Sequence, residues 1–402
     1  MRIAMIGPFG LEPKATMRRR ALPLARELAT RGHAVTLIMP PWHTPAEASR
    51  QWEEDAVTLQ YVSLSPPLPV FSHLAITARL LRCALSWHPD IVHCFKPKAH
   101  AGLAAWILWH LQRLGGFRGR LVIDEDDWEG PGGWNELEPY PPLAQTFFAW
   151  QERWGLRHND AVTVASRALE TLVWGLGVAR EKVHYLPNAA LPRASGDGKR
   201  VRQRHALGEK PVVLLYTRFF EYDVARLLRA WQRIREACPM ARLLVVGEGL
   251  YLEDERRFGR LLAEGRLSES VVRAGWVSEE ELPDYFAAAD LALYPFDDTL
   301  INRTKCAAKL VDLLAAGVPL VADAVGQNRE YIRHGETGWL VPAGDSEAMA
   351  AGAIALLHDA ARRKALGERA AAEMQSHYSV TTLAKTLEGL YATLLGVEES
   401  LG

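Results

Sequence analysis

The chain has 402 residues, 49% of them hydrophobic, and its 47 lysines and arginines face 48 aspartates and glutamates for a formal charge of −1. That composition supports two sizeable cores and excludes a general basic field of the kind that holds nucleic acid. The four cysteines (Cys83, Cys94, Cys238 and Cys306) contain no Cys-x-x-Cys pair, so neither a zinc ribbon nor a disulfide framework is expected, and a reducing cytoplasm fits.

In chain order, RIAMI opens as a buried strand and runs into the glycine turn GPFG, without the apolar run and small-residue cleavage site of a signal peptide. AVTLIM, DIVHCF, RLVIDE, DAVTVA and KVHYLP punctuate the first half. PVVLLYT, RLLVVG, VVRAGWV, LALYPF, PLVADA and GWLVP punctuate the second. These runs are continuously apolar rather than alternating, as in parallel strands covered by helices on both faces. Ser72 to Trp87 is amphipathic and is expected as a core helix rather than a membrane contact. Leu103 to Leu111 is apolar but too short to span a bilayer. After Trp339 the pattern is helical, from Ser346 to Leu395. The expected organisation is a first α/β domain over 1–187, a linker over 188–210 rich in proline, glycine and charge, and a second α/β domain over 211–379. A last helix, about 380–402, is expected to pack back on the first domain. Two doubly wound Rossmann-like domains would face each other across a cleft, with ligands at the carboxyl ends of the strands.

The stretch KCAAKLVDLLAAGVPLVA, from Lys305 to Ala322, reads as a helix ending at Gly317 and then a strand. Arg303, Lys305 and Lys309 all fall at the start of that helix, where the dipole disfavours cations by roughly 0.3–1 kcal/mol each. A bound anion would reverse the sign of that cost, because backbone N–H groups, dipole and cations would all attract it. Asp312, three residues after Lys309, suits a ribose diol. Arg218, at the carboxyl end of PVVLLYT, offers a fork for phosphate oxygens. Together these residues point to a nucleoside diphosphate.

The second-half block KLVDLLAAGVPLVADAVGQNREYIRHGETGWLVPAGD, preceded by AGWVSEEELPDYFAAADLALYP, resembles the donor-binding segments of the family 4 retaining glycosyltransferases of the GT-B fold. DAVTVASRALETL, HYLPNAA and GPFG resemble the family's first domain. The resemblance implies that Arg218 and Lys309 hold the donor diphosphate as leaving-group stabilisers and that Asp312 binds the ribose. It places Gly275, Trp276 and Val277 by the base and Gly326 and Gln327 by the donor sugar. Gly7 and Gly10 would let backbone approach the reacting centre. Three positions depart from the family pattern. Two glutamates separated by seven residues are usual, but Thr304 stands at the first position and Asp312, one methylene shorter, at the second; Asp223 stands where a lysine often follows the arginine. Arg303 and Lys305 are expected to supply donor-binding charge instead.

In the first half, LVIDEDDWEGPGGWNE places Asp126, Asp127, Trp128 and Trp134 after a strand, and HCFKPKAH places Lys96 and Lys98 after another. Acceptor contact is expected of the acidic loop, the tryptophans stacking on a sugar face, and Lys96 and Lys98 could meet an acceptor phosphate. A metal-binding reading of Asp124 and Asp126 is disfavoured by the two-sheet architecture, so no metal and no further cofactor are expected. His93 reads as a packed strand-end histidine. The expected function is a cytoplasmic hexosyltransferase moving a sugar from a nucleotide sugar to a carbohydrate or lipid-linked acceptor, with peripheral contact at the inner membrane face left open and no nucleic-acid partner. An epimerase or hydrolase of the same fold, or a silent sugar-nucleotide-binding subunit, are the alternatives.

Overall fold

The computed structural model describes residues 1–13, 16–65 and 71–397. Its chain divides into two compact units, the first comprising 1–189, 304–306 and 380–402 and the second 190–303 and 307–379.

The first unit is built on eight strands: β1 (Arg2–Ile6), β2 (Ala34–Met39), β3 (Gln51–Glu54), β4 (Val57–Tyr61), β5 (Ile91–Phe95), β6 (Arg120–Glu125), β7 (Ala161–Val164) and β8 (Val183–Tyr185). Their order is β3-β4-β2-β1-β5-β6-β7-β8, parallel throughout except for β3, which pairs antiparallel with β4. The second unit holds β9 (Val212–Tyr216), β10 (Arg242–Val246), β11 (Val271–Gly275), β12 (Leu291–Tyr294), β13 (Leu320–Asp323) and β14 (Trp339–Val341), in the order β11-β10-β9-β12-β13-β14, all parallel. Each of the twelve apolar runs noted in the sequence forms a strand. The hairpin β3–β4 was not anticipated. Its strands are short, and β4 (VTLQY) buries alternate residues only, so it lacks the continuous apolar run that marks a doubly covered strand.

Each sheet has a core on both faces. In the first unit, Ala4, Ile6, Val92, Cys94, Leu121, Ile123 and Val162 pack on one side, and Ile3, Met5, Leu37, Leu59 and Phe95 on the other. The latter core takes in Leu383, Leu387, Leu390 and Tyr391 from the helix Val380–Leu395. Residues 398–402, the end of the expected last helix, lie outside the described residues. His93 is sealed in the first unit. Its Nδ1 lies 2.7 Å from the Tyr391 hydroxyl and its Nε2 lies 3.1 Å from Thr163 Oγ1. Burial, helped by the Arg20 charge, pulls its pKa down to about 3, so the ring is neutral. Between Asn188 and Lys210 the chain forms the helix Gly198–Arg204, capped by Asp197 and packed on the helix Leu282–Ala288. The amphipathic segment at Ser72 is the helix Phe71–Ser86, burying Ile76, Leu80, Leu81 and Ala84. Among the described residues no helix is long and apolar enough to cross a membrane.

Candidate active site

The second unit carries the expected donor half. The run read as one helix from Lys305 is two helices, Leu300–Thr304 and Ala308–Ala315, with a break over Lys305, Cys306 and Ala307. This changes the reading of the three cations. Arg303 lies at the end of the first helix, where a cation suits the dipole, and its exposed guanidinium pairs with Asp298 at 2.8 Å. Lys305 is in the break, is 8% exposed and groups with the first unit, where its charge acts on Asp127. Only Lys309 stands in the first turn of the helix Ala308–Ala315, its Nζ 5.3 Å from the centre of the Tyr216 ring. The expected crowding of three cations at one helix start is therefore corrected to one. Cys306 is pushed well up by burial and is no reactive thiolate.

Arg218 follows β9. Its side chain is 39% exposed, with Nε 3.9 Å from the buried Glu221 carboxylate. Tyr294, at the carboxyl end of β12, connects Arg218 with the helix start. Its buried hydroxyl is bonded by the Leu310 backbone and feels the Arg218 charge. Burial, reinforced by Glu221, raises that hydroxyl's pKa well above the ordinary value. Gln327 is 1% exposed, and its Oε1 accepts the Ala307 N–H at 2.8 Å, the hydrogen bond that sets the start of the helix Ala308–Ala315. Gln327 thus serves a helix terminus, a role its position in the sequence did not reveal. Gly326 has φ +48°, and a Cβ there would lie 2.6 Å from the Asn302 carbonyl, which explains the glycine by close packing.

Asp312 is 2% exposed and pairs with Arg193 at 3.0 Å. The sequence held no direct signal for Arg193, because its segment, ALPRASG, reads as linker. Asp223, where the family pattern favours lysine, caps the helix Val224–Ala237 by accepting the N–H groups of Ala225 and Arg226, and it pairs with Arg257 at 2.8 Å. Thr304 is buried. At the end of β11, Gly275 has φ +69° and its carbonyl accepts the Gly247 N–H at 2.8 Å. Trp276 is 71% exposed, its N–H reaching Glu248 at 3.3 Å, while Val277 is buried.

The first unit presents a dense charge cluster at the carboxyl ends of β5 and β6. Arg20 grips Asp124 through two hydrogen bonds of 2.7 and 2.6 Å, both side chains buried. Lys96 lies 3.0 Å from Glu129 and 3.6 Å from both Asp126 and Asp127, and Lys98 lies 2.6 Å from Glu129. Burial disfavours the Lys96 charge, but Asp126, Glu129 and Asp127 outweigh it and raise its pKa well above the ordinary value. The two lysines expected to meet an acceptor phosphate are instead matched by carboxylates within the fold. Asp126 is buried and accepts from the Thr16 hydroxyl at 2.7 Å. Asp127 keeps a side-chain exposure of 22%, and burial raises its pKa to about 6 despite Lys96.

Trp128 is 5% exposed and donates Nε1–H to the Pro131 carbonyl at 2.9 Å, so the expected sugar-stacking surface is packed away. Trp134 opens the short helix Trp134–Leu137 and is half-buried. Glu125 is fully buried, with neither carboxylate oxygen hydrogen-bonded, and burial and Glu152 push its pKa well up. Glu152, which accepts the Glu129 N–H at 2.6 Å, is also pushed up, chiefly by burial. Glu152 reaches about 8, so its carboxyl is mostly protonated at pH 7. In the glycine loop, Gly7 leaves room for Met17 and Gly10 for the Tyr61 ring, so packing alone accounts for both glycines. Among the described residues no group of carboxylates, histidines or cysteines is arranged to hold a metal ion.

Two wholly or mainly parallel α/β units, each with charged side chains at the carboxyl ends of its strands, are the architecture of the GT-B fold. The first unit matches the "Glycosyl transferase 4-like domain" family over residues 15–189 and the second matches "Glycosyl transferases group 1" over 210–359. The chain is 28% identical over 350 residues, 84% of each protein, to a GDP-mannose-dependent α-(1-6)-phosphatidylinositol monomannoside mannosyltransferase of Mycolicibacterium smegmatis. It is 24% identical over 408 residues, 98% of this chain and 97% of the relative, to the phosphatidyl-myo-inositol mannosyltransferase of Mycobacterium leprae. Among solved structures, sucrose-phosphate synthase from Thermosynechococcus elongatus superposes with a TM-score of 0.73 at 20% identity, covering 99% of this chain and 100% of that one. Anabaena HepE, in complex with UDP and glucose, superposes with a TM-score of 0.72 at 17% identity, covering 97% and 99%. The chain belongs to the group 1, family 4 glycosyltransferases and is an enzyme of the hexosyltransferase type.

Proposed function

We propose that the chain transfers a hexose from a nucleoside diphosphate sugar to a carbohydrate or lipid-linked hydroxyl, with retention of the anomeric configuration and without a metal ion. The observation that carries this reading is the meeting of Arg218 and the start of the helix Ala308–Ala315 around Tyr294, with Lys309 in the first turn. The bond that breaks joins the anomeric carbon to the diphosphate oxygen, and the leaving group gathers negative charge. Arg218, Lys309 and the helix N–H groups would stabilise that charge by preorganised electrostatics. The acceptor oxygen forms the new bond on the same face, and its proton passes to the departing phosphate oxygen. No side-chain base is needed. Donors named for similar proteins, GDP-mannose in a relative and UDP with glucose in a structural neighbour, support a nucleotide sugar without choosing the base.

Asp312, with Arg193 beside it, is proposed for the ribose hydroxyls, and Gly275 to Val277 for the base. Asp127, the most accessible carboxylate of the first unit's cluster, is proposed for an acceptor hydroxyl. Arg303 and Lys305 take no donor role in this reading, since the first pairs with Asp298 and the second acts on Asp127. A lipid-linked acceptor would bring the chain to a membrane surface. Turnover of UDP-, GDP- and ADP-sugars in excess EDTA, with the product anomer read by proton NMR, tests the proposal. Retained turnover and a retained anomer are expected. Loss of turnover restored by manganese would overturn the metal-free reading.

A further inference from the structure

Three helices of the first unit, Phe71–Ser86, Ala99–Arg113 and Pro142–Arg157, pack side by side, the middle one against both others. They are unlike the rest of this charge-balanced chain. They carry Arg79, Arg82, Arg113, Arg153 and Arg157, and their one acidic residue, Glu152, is buried. Four of the arginines make hydrogen bonds to backbone carbonyls: Arg79 to Ser63, Arg113 to Trp109, Arg153 to Ala149 and Arg157 to Leu176. Among the described residues none of the five forms an ion pair with a carboxylate.

The same helices expose large apolar side chains. Leu143 is 86% exposed and Phe71 62%, and Leu74, Trp106, Phe147 and Trp150 are also on the surface. The aromatic part is continuous. The Phe147 ring stacks near Trp150 at 5.8 Å, Trp150 lies 6.2 Å from Trp154, and Trp154 lies 6.4 Å from Trp106. A connected run of aromatic rings, beside further exposed apolar side chains on helices whose arginines have no carboxylate partner, is more than the scattered exposure of an ordinary surface.

We infer that this three-helix face docks on an anionic lipid surface. Tryptophan settles at the headgroup level, where its apolar ring and polar N–H are both satisfied, phenylalanine and leucine enter the acyl boundary, and arginines without carboxylate partners attract acidic headgroups. An apolar and an electrostatic signal are both present, and membrane binding strengthens with each. A second copy of the chain is a poorer occupant. A two-fold interface sets the same patch against itself, which would bring arginine to arginine with no carboxylate between them. The helices follow the carboxyl ends of β4, β5 and β6, so Phe71, Leu74 and Leu143 start from the sheet edge that carries Asp127. Docking there would hold that edge close to lipid-borne hydroxyls, which deepens the lipid-linked arm of the acceptor proposal.

Flotation of the full chain with phosphatidylcholine vesicles, with and without phosphatidylglycerol, tests the docking without requiring turnover. Binding to the anionic vesicles, weakened by salt, is expected. The double variant Phe147→Ser/Trp150→Ser should bind at least about tenfold more weakly. Arg153→Gln should lose about fivefold on anionic vesicles and nothing on neutral ones. Melting temperature and the nucleotide-induced shift, unchanged in these variants, separate lost docking from lost folding or a failed donor assignment. No binding to anionic vesicles, or equal binding by the double variant, would overturn the inference. So would a concentration-dependent dimer that the same substitutions dissolve.

Discussion

Arg193 and Asp312 form a 3.0 Å ion pair in the second unit, joining the segment after β8 to the helix Ala308–Ala315. Asp312 is almost fully buried, so Arg193 provides the charge that makes an ionised carboxylate tolerable there. Arg193→Ala would leave that carboxylate uncompensated, a change that costs about 3–5 kcal/mol at a fully buried pair. With Arg193 itself only partly buried, a loss near ~3 kcal/mol is expected, read as a fall in the midpoint of urea denaturation of the unliganded protein. An unchanged midpoint would mean that Asp312 is held by other groups.

Asp312→Asn separates structure from binding. The amide keeps one acceptor oxygen but loses the charge, so nucleoside diphosphate affinity should fall by about 1.5–3 kcal/mol. Inorganic pyrophosphate, which has no ribose, should bind as before. Calorimetric titration of both ligands decides, and equal weakening would remove Asp312 from the ribose.

Lys309→Ala and Arg218→Ala should have small effects on the unliganded protein and large ones on its response to nucleotide. Arg218 is partly exposed and 3.9 Å from its nearest carboxylate, and Lys309 opposes the helix dipole. With a nucleoside diphosphate bound, each substitution removes a charge-assisted contact of about 1.5–3 kcal/mol. The double variant should lose less than the sum if both groups hold the same phosphate oxygens. Melting temperatures of the four proteins with and without saturating nucleotide provide the cycle. A strictly additive loss would place the two cations on different parts of the ligand.

The legible parts of this chain were those in which one local rule suffices. Continuously apolar runs mark parallel strands, so twelve of them could be located, and the family blocks could be recognised from their order. The missed hairpin Gln51–Tyr61 is half-exposed and alternating. The break at Lys305 to Ala307 is invisible to periodicity because alanine and lysine are good helix formers. Only the Gln327 side chain, twenty residues further on, reveals where the second helix starts. The lysines at positions 96 and 98 read as loop cations because their partners, Asp126, Asp127 and Glu129, belong to the next strand's loop. Pairing between separate βα loops is a tertiary property, and so is the Arg193–Asp312 bond.

Glu152 makes the stability of the first unit depend on pH. Burial raises its folded pKa above the unfolded value, so the native state holds a proton that the unfolded chain releases. In that situation stability is highest below the unfolded value and falls as pH rises through the folded one, by at most ~1.4 kcal/mol per pH unit for each group. A pH near 5 should therefore favour this unit over pH 8. Glu152→Gln keeps an oxygen to accept the Glu129 N–H and carries no ionisable proton. Urea midpoints from pH 5 to about 8 should decline in the parent protein and decline less in the variant. Parallel profiles would assign the slope to Glu125 or Asp127 instead.

Gln327 offers the sharpest separation of a helix-terminus role from a sugar-binding one. Its Oε1 accepts the Ala307 N–H at a site that is 1% exposed. Gln327→Ala removes that acceptor and should destabilise the unliganded protein by about 1–2 kcal/mol, as for a lost cap. It should leave pyrophosphate binding nearly intact. Gln327→Glu keeps the acceptor but places a negative charge at the positive end of the helix Ala308–Ala315, where the proposed diphosphate must also lie. The glutamate variant should therefore lose the nucleotide-induced rise in melting temperature more completely than the alanine variant, even though it preserves the hydrogen bond. If the two variants respond alike to both nucleotide and pyrophosphate, the helix start is not the diphosphate site, and Arg218 must bind the anion without it.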